Sequence, residues 1–456
     1  MDKKNSPRTL SDAQLDKYFL GNRSIKTRQV THLLMSTSFG ANAILYAAWL
    51  GYAMGMWALL IQVAWCLSFV LLSKFSNKIY SYTSMHDFLG VKFGKSVRVI
   101  SAICSILGLL YFMGWEIAIA QTGVESLPFT NINWGFIIGI FIMIAIAYTF
   151  INGRKLVGIV DTVLNTLKIL LFVFIVITLG ITLGTSGNLS FQLIVPPFSE
   201  LIAVLGLLGL ITNTVFNLSW QFVDNSSWQS ISSTAEDDKS GAKKSLLGAS
   251  VGVFFTVELL GTLLGAFLRV KTGLNSDNIL GAVYMSMNGN LANIINISIV
   301  ALLLLSMVSL IDNTTLSVAQ SIVSDLGLFK KNIDNKKFKL NIVRAITVIM
   351  GFTAAWGVRE FINVLGGSIF DFVYVFVVLQ LSLLGSILVG LISKRENTKY
   401  MGLSIVLSLI LGFIFSIVGT ITGRTEFVDA AGTVAAISSI VFAFIINKIG
   451  RDSNAN

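Results

Sequence analysis

The segment LLLLSMVSLIDNTTLSVAQS, residues 302–321, interrupts a run of leucines with Ser306, Ser309, Asp312, Asn313, Thr314 and Thr315. Hydroxyl, carboxylate and carboxamide oxygens recurring at helical spacing form a set suited to holding positive charge. Ionisable groups in apolar segments mark binding sites or pathways, because burying them is costly. A blander account competes with this one: Ser and Thr bond back to their own helix, and Asn can join two helices. Asp161 and Lys168 form a second constellation. Seven residues apart, they share one helix face at about two turns' separation, so a single neighbouring helix could engage both. Asp161 and Asp312 could also form the carboxylate dyad of an intramembrane hydrolase. Their flanks, GIVDT and LIDNT, lack the Gly-x-Gly-Asp surroundings of such proteases. With only His32 and His86 in the chain, there is no HExxH zinc motif, and no GxSxG occurs either.

The elements that must position these residues are membrane helices. Of 456 residues, 54% are hydrophobic and 12% charged, and the mean hydropathy of +0.78 lies outside the range of soluble globular domains. Runs near the roughly 20 apolar residues that cross a bilayer lie at 31–52, 53–74, 96–123, 133–152, 156–184, 201–222, 243–269, 291–325, 339–357, 361–393, 400–421 and 429–448. This predicts an all-α integral membrane protein of about 12 spans. With the N-terminus inside, 28 Lys and Arg fall on the inner side and 4 on the outer, with Lys168 left inside a helix. Such asymmetry places both termini in the cytoplasm and explains the net charge of +10 without nucleic acid. The polar N-terminal stretch has no apolar core or cleavage site, so the first span is expected to direct insertion. Cys66 and Cys104 lie in apolar runs and are read as packing residues. Glu258 and Asp371, with no partner evident nearby, are expected to be satisfied packing groups. Glu116 either meets an amine on a ligand or is packed and protonated.

Two spans look broken. LLMSTSFGANAILYAAW in the first and LITNTVFNLSWQF in the sixth place small and hydrogen-bonding residues at mid-membrane, followed by aromatics. Unwound backbone at that depth survives only where protein or a water-filled cavity satisfies it. Interruptions at corresponding positions of two halves point to the binding site of an inverted-repeat transporter. The expectation is a first repeat over 31–184, an inverted second repeat over 201–393, and two additional C-terminal helices within 400–448. Tails of 1–30 and 449–456 flank them, and spans 1, 3, 6, 8 and 10 surround a central site.

At this point the chain resembles the sodium:solute symporters over roughly residues 17–420. The marks are YFLGNRS (18–24), DFLGVKFGKSVR (87–98), GIVDTVLNTLK (158–168), FVDNSSWQSISSTAEDDKSGAKKS (222–245) and LSMVSLIDNTTLSVAQSIVSDLG. Ser230 stands where the family usually has Arg, and many members begin with an extra helix and an external N-terminus. The resemblance implies a sodium site from the carbonyls of Ser36, Phe39 and Ser306 with the hydroxyl of Ser309. Leu310 falls where a second hydroxyl is expected, so a hard cation would lose a ligand. A second sodium site in some members maps onto Asp161, Ser309, Asp312 and Asn313. The resemblance further implies a solute site at Gly40, Ala41, Asn42, Ala43, Gln62, Phe216, Asn217 and Trp220. Lys168 is a departure, since some related five-helix-repeat carriers that work without sodium put a basic residue on this helix in the ion's place.

The expected function is therefore secondary active transport of a small polar solute, such as a sugar, amino acid or vitamin, across the plasma membrane by alternating access. Coupling to Na+ or to H+ stays open, with no other cofactor and no nucleic-acid partner implied, and oligomeric state is unconstrained. The alternatives are a sodium-independent exchanger or uniporter with Lys168 in the ion's seat, a channel or sensor, and the hydrolase.

Overall fold

The computed structural model describes residues 10–129, 131–187, 189–238, 240–274, 278–328, 336–365, 373–393 and 400–452. Among them the regular structure is helical, joined by a single isolated bridge between Ile25 and Thr234. Nine stretches are long and apolar enough to cross a membrane, and 340–354 and 377–392 are shorter apolar helices. The stretch Ala41–Ser73 is two helices, because Gly55 turns the chain at φ +63°. A side chain there would collide with Ile194 and Pro196.

The first span comprises Thr27–Ser36 and Ala41–Met54, interrupted at residues 37–40. The second is Leu59–Ser73, the third Lys95–Glu125, the fourth Trp134–Asn152 and the fifth Arg154–Thr185. The sixth runs Ser199–Val223 with a kink at Gly206, where φ is +62°, breaks at Asp224, and resumes as Asn225–Ser232. The seventh is Gly241–Val253, a π-helical turn Phe254–Glu258, and Leu259–Leu268. The eighth is Gly289–Gln320, followed by a π turn to Asp325. Lys336–Leu365 is the ninth, Val373–Leu381 with Leu384–Ile392 the tenth, Met401–Thr422 the eleventh and Thr425–Asp452 the twelfth. A further helix, Leu10–Leu20, lies within the tail expected over 1–30, and the first span begins before 31. Asp371 lies outside the described residues.

The break in the first span falls where the sequence placed it. That of the sixth does not: LITNTVFNLSWQF is helical throughout, and the chain departs from helix one residue after Val223. Asp224, with ψ 105°, accepts from the amides of Ser226 and Ser227 at 3.0 Å each and so starts a new helix. In the quoted stretch Asn213 Nδ2 bonds back to Gly209 O of its own helix at 2.8 Å, while Asn217 Nδ2 reaches Ile61 O of the second span at 3.1 Å.

The first span's second half is set by close approach. Gly51 faces the backbone of Thr262, and Gly265 faces the carbonyl of Ala48, so neither position has room for a Cβ. Gly261 and Gly265 form a small-xxx-small face that lets Ala41–Met54 lie directly on Leu259–Leu268. On the outside of the bundle, large apolar side chains such as Phe136, Leu170, Leu207 and Ile421 are exposed, as a lipid-facing surface requires.

Candidate functional site

The fifth and eighth spans pack side by side, and their polar faces meet. On the fifth, Asp161, Asn165 and Lys168 recur at i, i+4 and i+7, all fully buried. On the eighth, Ser306, Ser309, Asp312 and Asn313 are fully buried as well. The Lys168 ammonium donates to Ser309 Oγ at 2.7 Å and to the Phe39 carbonyl at 3.1 Å, and lies 4.6 Å from the centre of the Phe39 ring. Phe39 offers that carbonyl because it sits in the break, where no helical amide takes it. Ser309 Oγ in turn donates to Ser306 O at 3.2 Å.

One turn away, Asn313 organises the second cluster. Its Nδ2 lies 2.6 Å from Asp161 Oδ2, 3.0 Å from Asp312 Oδ1 and 3.0 Å from Ser309 O. Its Oδ1 accepts from Arg154 Nη1 at 2.6 Å, which fixes the amide's orientation. Arg154 also donates to Gln229 Oε1 at 3.2 Å, and Asp312 Oδ2 accepts from the Tyr148 hydroxyl. Asn165 Nδ2 bridges to the first span through Ser36 Oγ at 2.9 Å and His32 O at 2.8 Å. Asp161 Oδ1, Asn165 Oδ1 and Ser306 Oγ are buried without a hydrogen-bond partner.

Glu116 of the third span serves the broken helix. Its two oxygens accept from the amides of Ala41, at 2.5 Å, and Asn42, at 3.0 Å, while Asn42 Oδ1 accepts from the Ala43 amide. A carboxylate is thus seated on the positive end of the second half-helix. It is a cap, fully buried, rather than an exposed ligand group.

Beside the break lies a cavity of about 370 Å3 that extends along the first span from Thr37 toward Leu50. Asn42, Ala43, Gln62, Phe216, Asn217 and Trp220 line it. Gly40 and Ala41 do not: they are buried against Glu116, whose carboxylate fills the space a side chain on Gly40 would need. Asn217 uses its amide on Ile61 O at 3.1 Å. Trp65 and Trp220 stack with ring centres 5.8 Å apart, and Trp65 Nε1 donates to Ser38 Oγ at 3.1 Å. Glu258 also lines the cavity, so it is not the isolated packing group the sequence suggested. The ring of spans differs from expectation too. The second, seventh and twelfth contribute through Gln62, Glu258 and Asp429, whereas among the described residues none of the eighth lines it.

At the end where the N-terminal helix packs, the marks before the third span and at the exit of the eighth meet. Arg98 donates to Asp325 Oδ1 at 2.8 and 3.1 Å and pairs with Asp87 at 3.3 Å, and Ser84 Oγ donates to both oxygens of Asp325. These contacts tie the segment ahead of the third span to the end of the eighth.

Sequence reasoning missed Arg154, Tyr148 and Asn165. Arg154 falls between two apolar runs, among the 28 inner charges, yet the one-residue link after Asn152 leaves it no loop to occupy. Asn165 was legible, four residues from Asp161 and three from Lys168. Tyr148 gave no signal, since a tyrosine near a span's end is ordinary.

The chain is an integral membrane protein with the five-plus-five inverted-repeat transporter fold. Similar solved structures include a Na+-coupled sialic acid symporter in a substrate-bound outward-open state, with TM-score 0.73 and 16% identity over 95% of this chain and 93% of that one. Another is Mhp1, a nucleobase-cation-symport-1 family transporter in a closed conformation with bromovinylhydantoin bound, with TM-score 0.63 and 14% identity over 95% and 94%. MhsT in complex with L-phenylalanine gives TM-score 0.54 and 15% identity over 92% and 98%. No protein-family model matches the sequence, and no curated protein matches it. The hydrolase alternative finds no geometry in this fold: the Asn313 amide is interposed between Asp161 and Asp312, where a dyad needs a shared proton or water.

Proposed function

We propose that this protein is a proton-coupled secondary transporter of a small organic solute, working by alternating access, with the Lys168 ammonium permanently occupying the place a sodium ion would take. The observation that carries this is Lys168 bonded at once to Phe39 O and Ser309 Oγ, two of the oxygens a sodium ion would need. A sodium ion does not fit there while the ammonium is present, and Leu310 offers no replacement oxygen.

The proton's place is the Asp161–Asp312 pair. Asn313 Nδ2 has two hydrogens for three acceptors, two of them carboxylates. One proton on the pair completes the set, and its loss leaves two negative oxygens on one nitrogen. Such a change gives the two protonation states different preferences for the arrangement of the fifth and eighth spans, which is what coupling requires. Arg154 and Tyr148 hold the amide and Asp312 in register. The solute binds in the cavity beside the first-span break, against Asn42, Ala43, Gln62, Phe216, Asn217 and Trp220. The Arg98–Asp325 lock closes the opposite, cytoplasmic end. Both termini inside is the orientation that the distribution of Lys and Arg favours, and the plasma membrane is the location proposed with it.

A second reading keeps sodium at Asp161, favoured by the buried, unpartnered Asp161 Oδ1 and Asn165 Oδ1. Proteoliposomes separate the two. A labelled solute, chosen by thermal-shift screening of sugars, amino acids, vitamins and amines, is expected to accumulate under an acid-outside gradient in potassium buffer and to stop doing so with a protonophore. Accumulation that needs sodium and ignores the pH gradient overturns the proton reading in favour of the second.

A further inference from the structure

We propose that the solute is a compact organic cation, an amine or quaternary ammonium, held over aromatic faces and against Glu258. This rests on the transporter reading above and names its substrate class.

The cavity's charge is one-sided. Glu258 and Asp429 line it, and no Lys or Arg occurs among the described residues that do. Lys168 spends its charge on Phe39 O and Ser309 Oγ, and Arg269, at the cavity end of the seventh span, is tied to Glu200 at 2.6 Å and to the carbonyls of Tyr52 and Ala53. An anionic solute would otherwise be expected at the start of the half-helix Ala41–Met54, where free amides and the helix dipole attract negative groups. Those amides are taken: Glu116 accepts from Ala41 and Asn42, and Asn42 Oδ1 accepts from Ala43. A carboxylate on the solute therefore finds neither a vacant amide nor a basic side chain.

A sugar is served little better. Several polar groups that could read hydroxyls are engaged within the protein, Tyr46 with Asn213, Asn217 with Ile61 O and Gln62 with the seventh span, while the hydroxyls of Thr212 and Thr433, which also line the cavity, have no partner. Gln62 turns its amide nitrogen toward that span, because the reverse orientation would set its oxygen against acceptors. Its nitrogen, with two hydrogens to give, then lies 2.7 Å from Glu258 Oε2, 3.0 Å from Thr262 Oγ1 and 3.1 Å from Glu258 O. The rest of the lining is largely apolar and aromatic. Trp220 lies 5.8 Å from Trp65, 5.4 Å from Phe112 and 5.4 Å from Phe216, centre to centre, and all four line the cavity. Aromatic faces attract a cation and are indifferent to a neutral solute of the same shape beyond its area.

Glu258 is delivered by an irregularity. It closes the π-helical turn Phe254–Glu258, the place where the seventh span departs from α geometry. Such turns insert a residue into a helix and recur at functional sites. The span stays packed on the first through Gly261 and Gly265 while its one carboxylate lines the cavity.

The test is equilibrium binding to the full-length protein in nanodiscs, followed by tryptophan fluorescence and melting temperature. The probes are choline, tetramethylammonium and putrescine, the neutral choline isostere 3,3-dimethylbutan-1-ol, and succinate and glucose. Saturable binding of at least one of the three cations is expected. For choline the neutral isostere should bind at least tenfold more weakly, and succinate should give no response. Glu258→Gln should weaken cation binding about tenfold, with Glu258→Asp recovering part of it. Equal affinity for choline and its isostere, saturable binding of succinate or glucose alone, or silence toward all three cations overturns the proposal. The isostere comparison needs no variant, so it stands even if Glu258→Gln fails to fold. Binding needs neither turnover nor coupling, so a negative result here leaves proton coupling intact. Absence of proton-driven uptake likewise leaves cation binding intact.

Discussion

Replacing Lys168 by Ala should turn a sodium-indifferent protein into a sodium-responsive one. In the native fold the ammonium makes two charge-assisted bonds, at 2.7 and 3.1 Å, and a cation–π contact at 4.6 Å, all out of water. Truncation leaves the Phe39 carbonyl without a partner, at about 1–3 kcal/mol. It also removes a cation–π contact worth about 2 kcal/mol when desolvated and opens a cavity the length of the side chain, at about 2–5 kcal/mol. Against this, the ammonium no longer has to be desolvated, which returns several kcal/mol. A net loss of about 3 kcal/mol is expected, visible as a drop of several degrees in melting temperature. The vacated seat then has the oxygens of Phe39, Ser306 and Ser309 around it, and sodium at ten times its dissociation constant would restore about 1.4 kcal/mol. The assay is thermal unfolding in NaCl against KCl at equal ionic strength. The wild type should melt at the same temperature in both, and Lys168→Ala should melt lower in KCl and partly recover in NaCl. A wild-type protein stabilised by sodium, or a variant that melts like the wild type and ignores sodium, refutes the account of Lys168 as a resident cation.

Three further outcomes are expected. Asp161→Asn or Asp312→Asn should abolish proton-driven accumulation while leaving counterflow of the same solute within a few-fold, measured in the same vesicles. Arg98→Ala leaves the fully buried Asp325 carboxylate without its guanidinium, at about 3–5 kcal/mol; the variant should favour the conformation open at that end, read as faster labelling of a cysteine introduced beside Ser84. Burial, with Arg98 adding to it, pushes the His86 imidazole down to about 3. Below about pH 6.5 the unfolded chain therefore takes up a proton that the folded one refuses. Stability should fall by up to about 1.4 kcal/mol per pH unit until about pH 3, and His86→Gln should flatten that part of the melting-temperature profile.

Much of this molecule is written in one dimension. Span positions follow from apolar length, because a bilayer admits only helices whose backbone is internally bonded. The first break was legible in STSFGANA, since small polar residues in a long apolar run have few other uses. The pairing of Asp161, Asn313, Ser309 and Lys168 was legible in outline, because 3.6 residues per turn puts i, i+4 and i+7 on one face. The helix opposite then needs the same four-residue step between Ser309 and Asn313.

What only the tertiary structure decided is which atoms meet. The sixth-span break moved to Asp224 because a side-chain cap, not the density of polar residues, ends a helix there. Glu116, ambiguous in the sequence, became a cap because the third span passes the broken end of the first. Arg154 and Tyr148 joined the carboxylate cluster through bonds to residues more than 150 positions away, a separation no local pattern encodes. Glu258 reached the cavity through a π turn that residue spacing does not announce. Periodicity sets the face a residue occupies on its own helix. The face it meets is set by how the helices pack, and close contacts such as those of Gly51 and Gly265 fix that register.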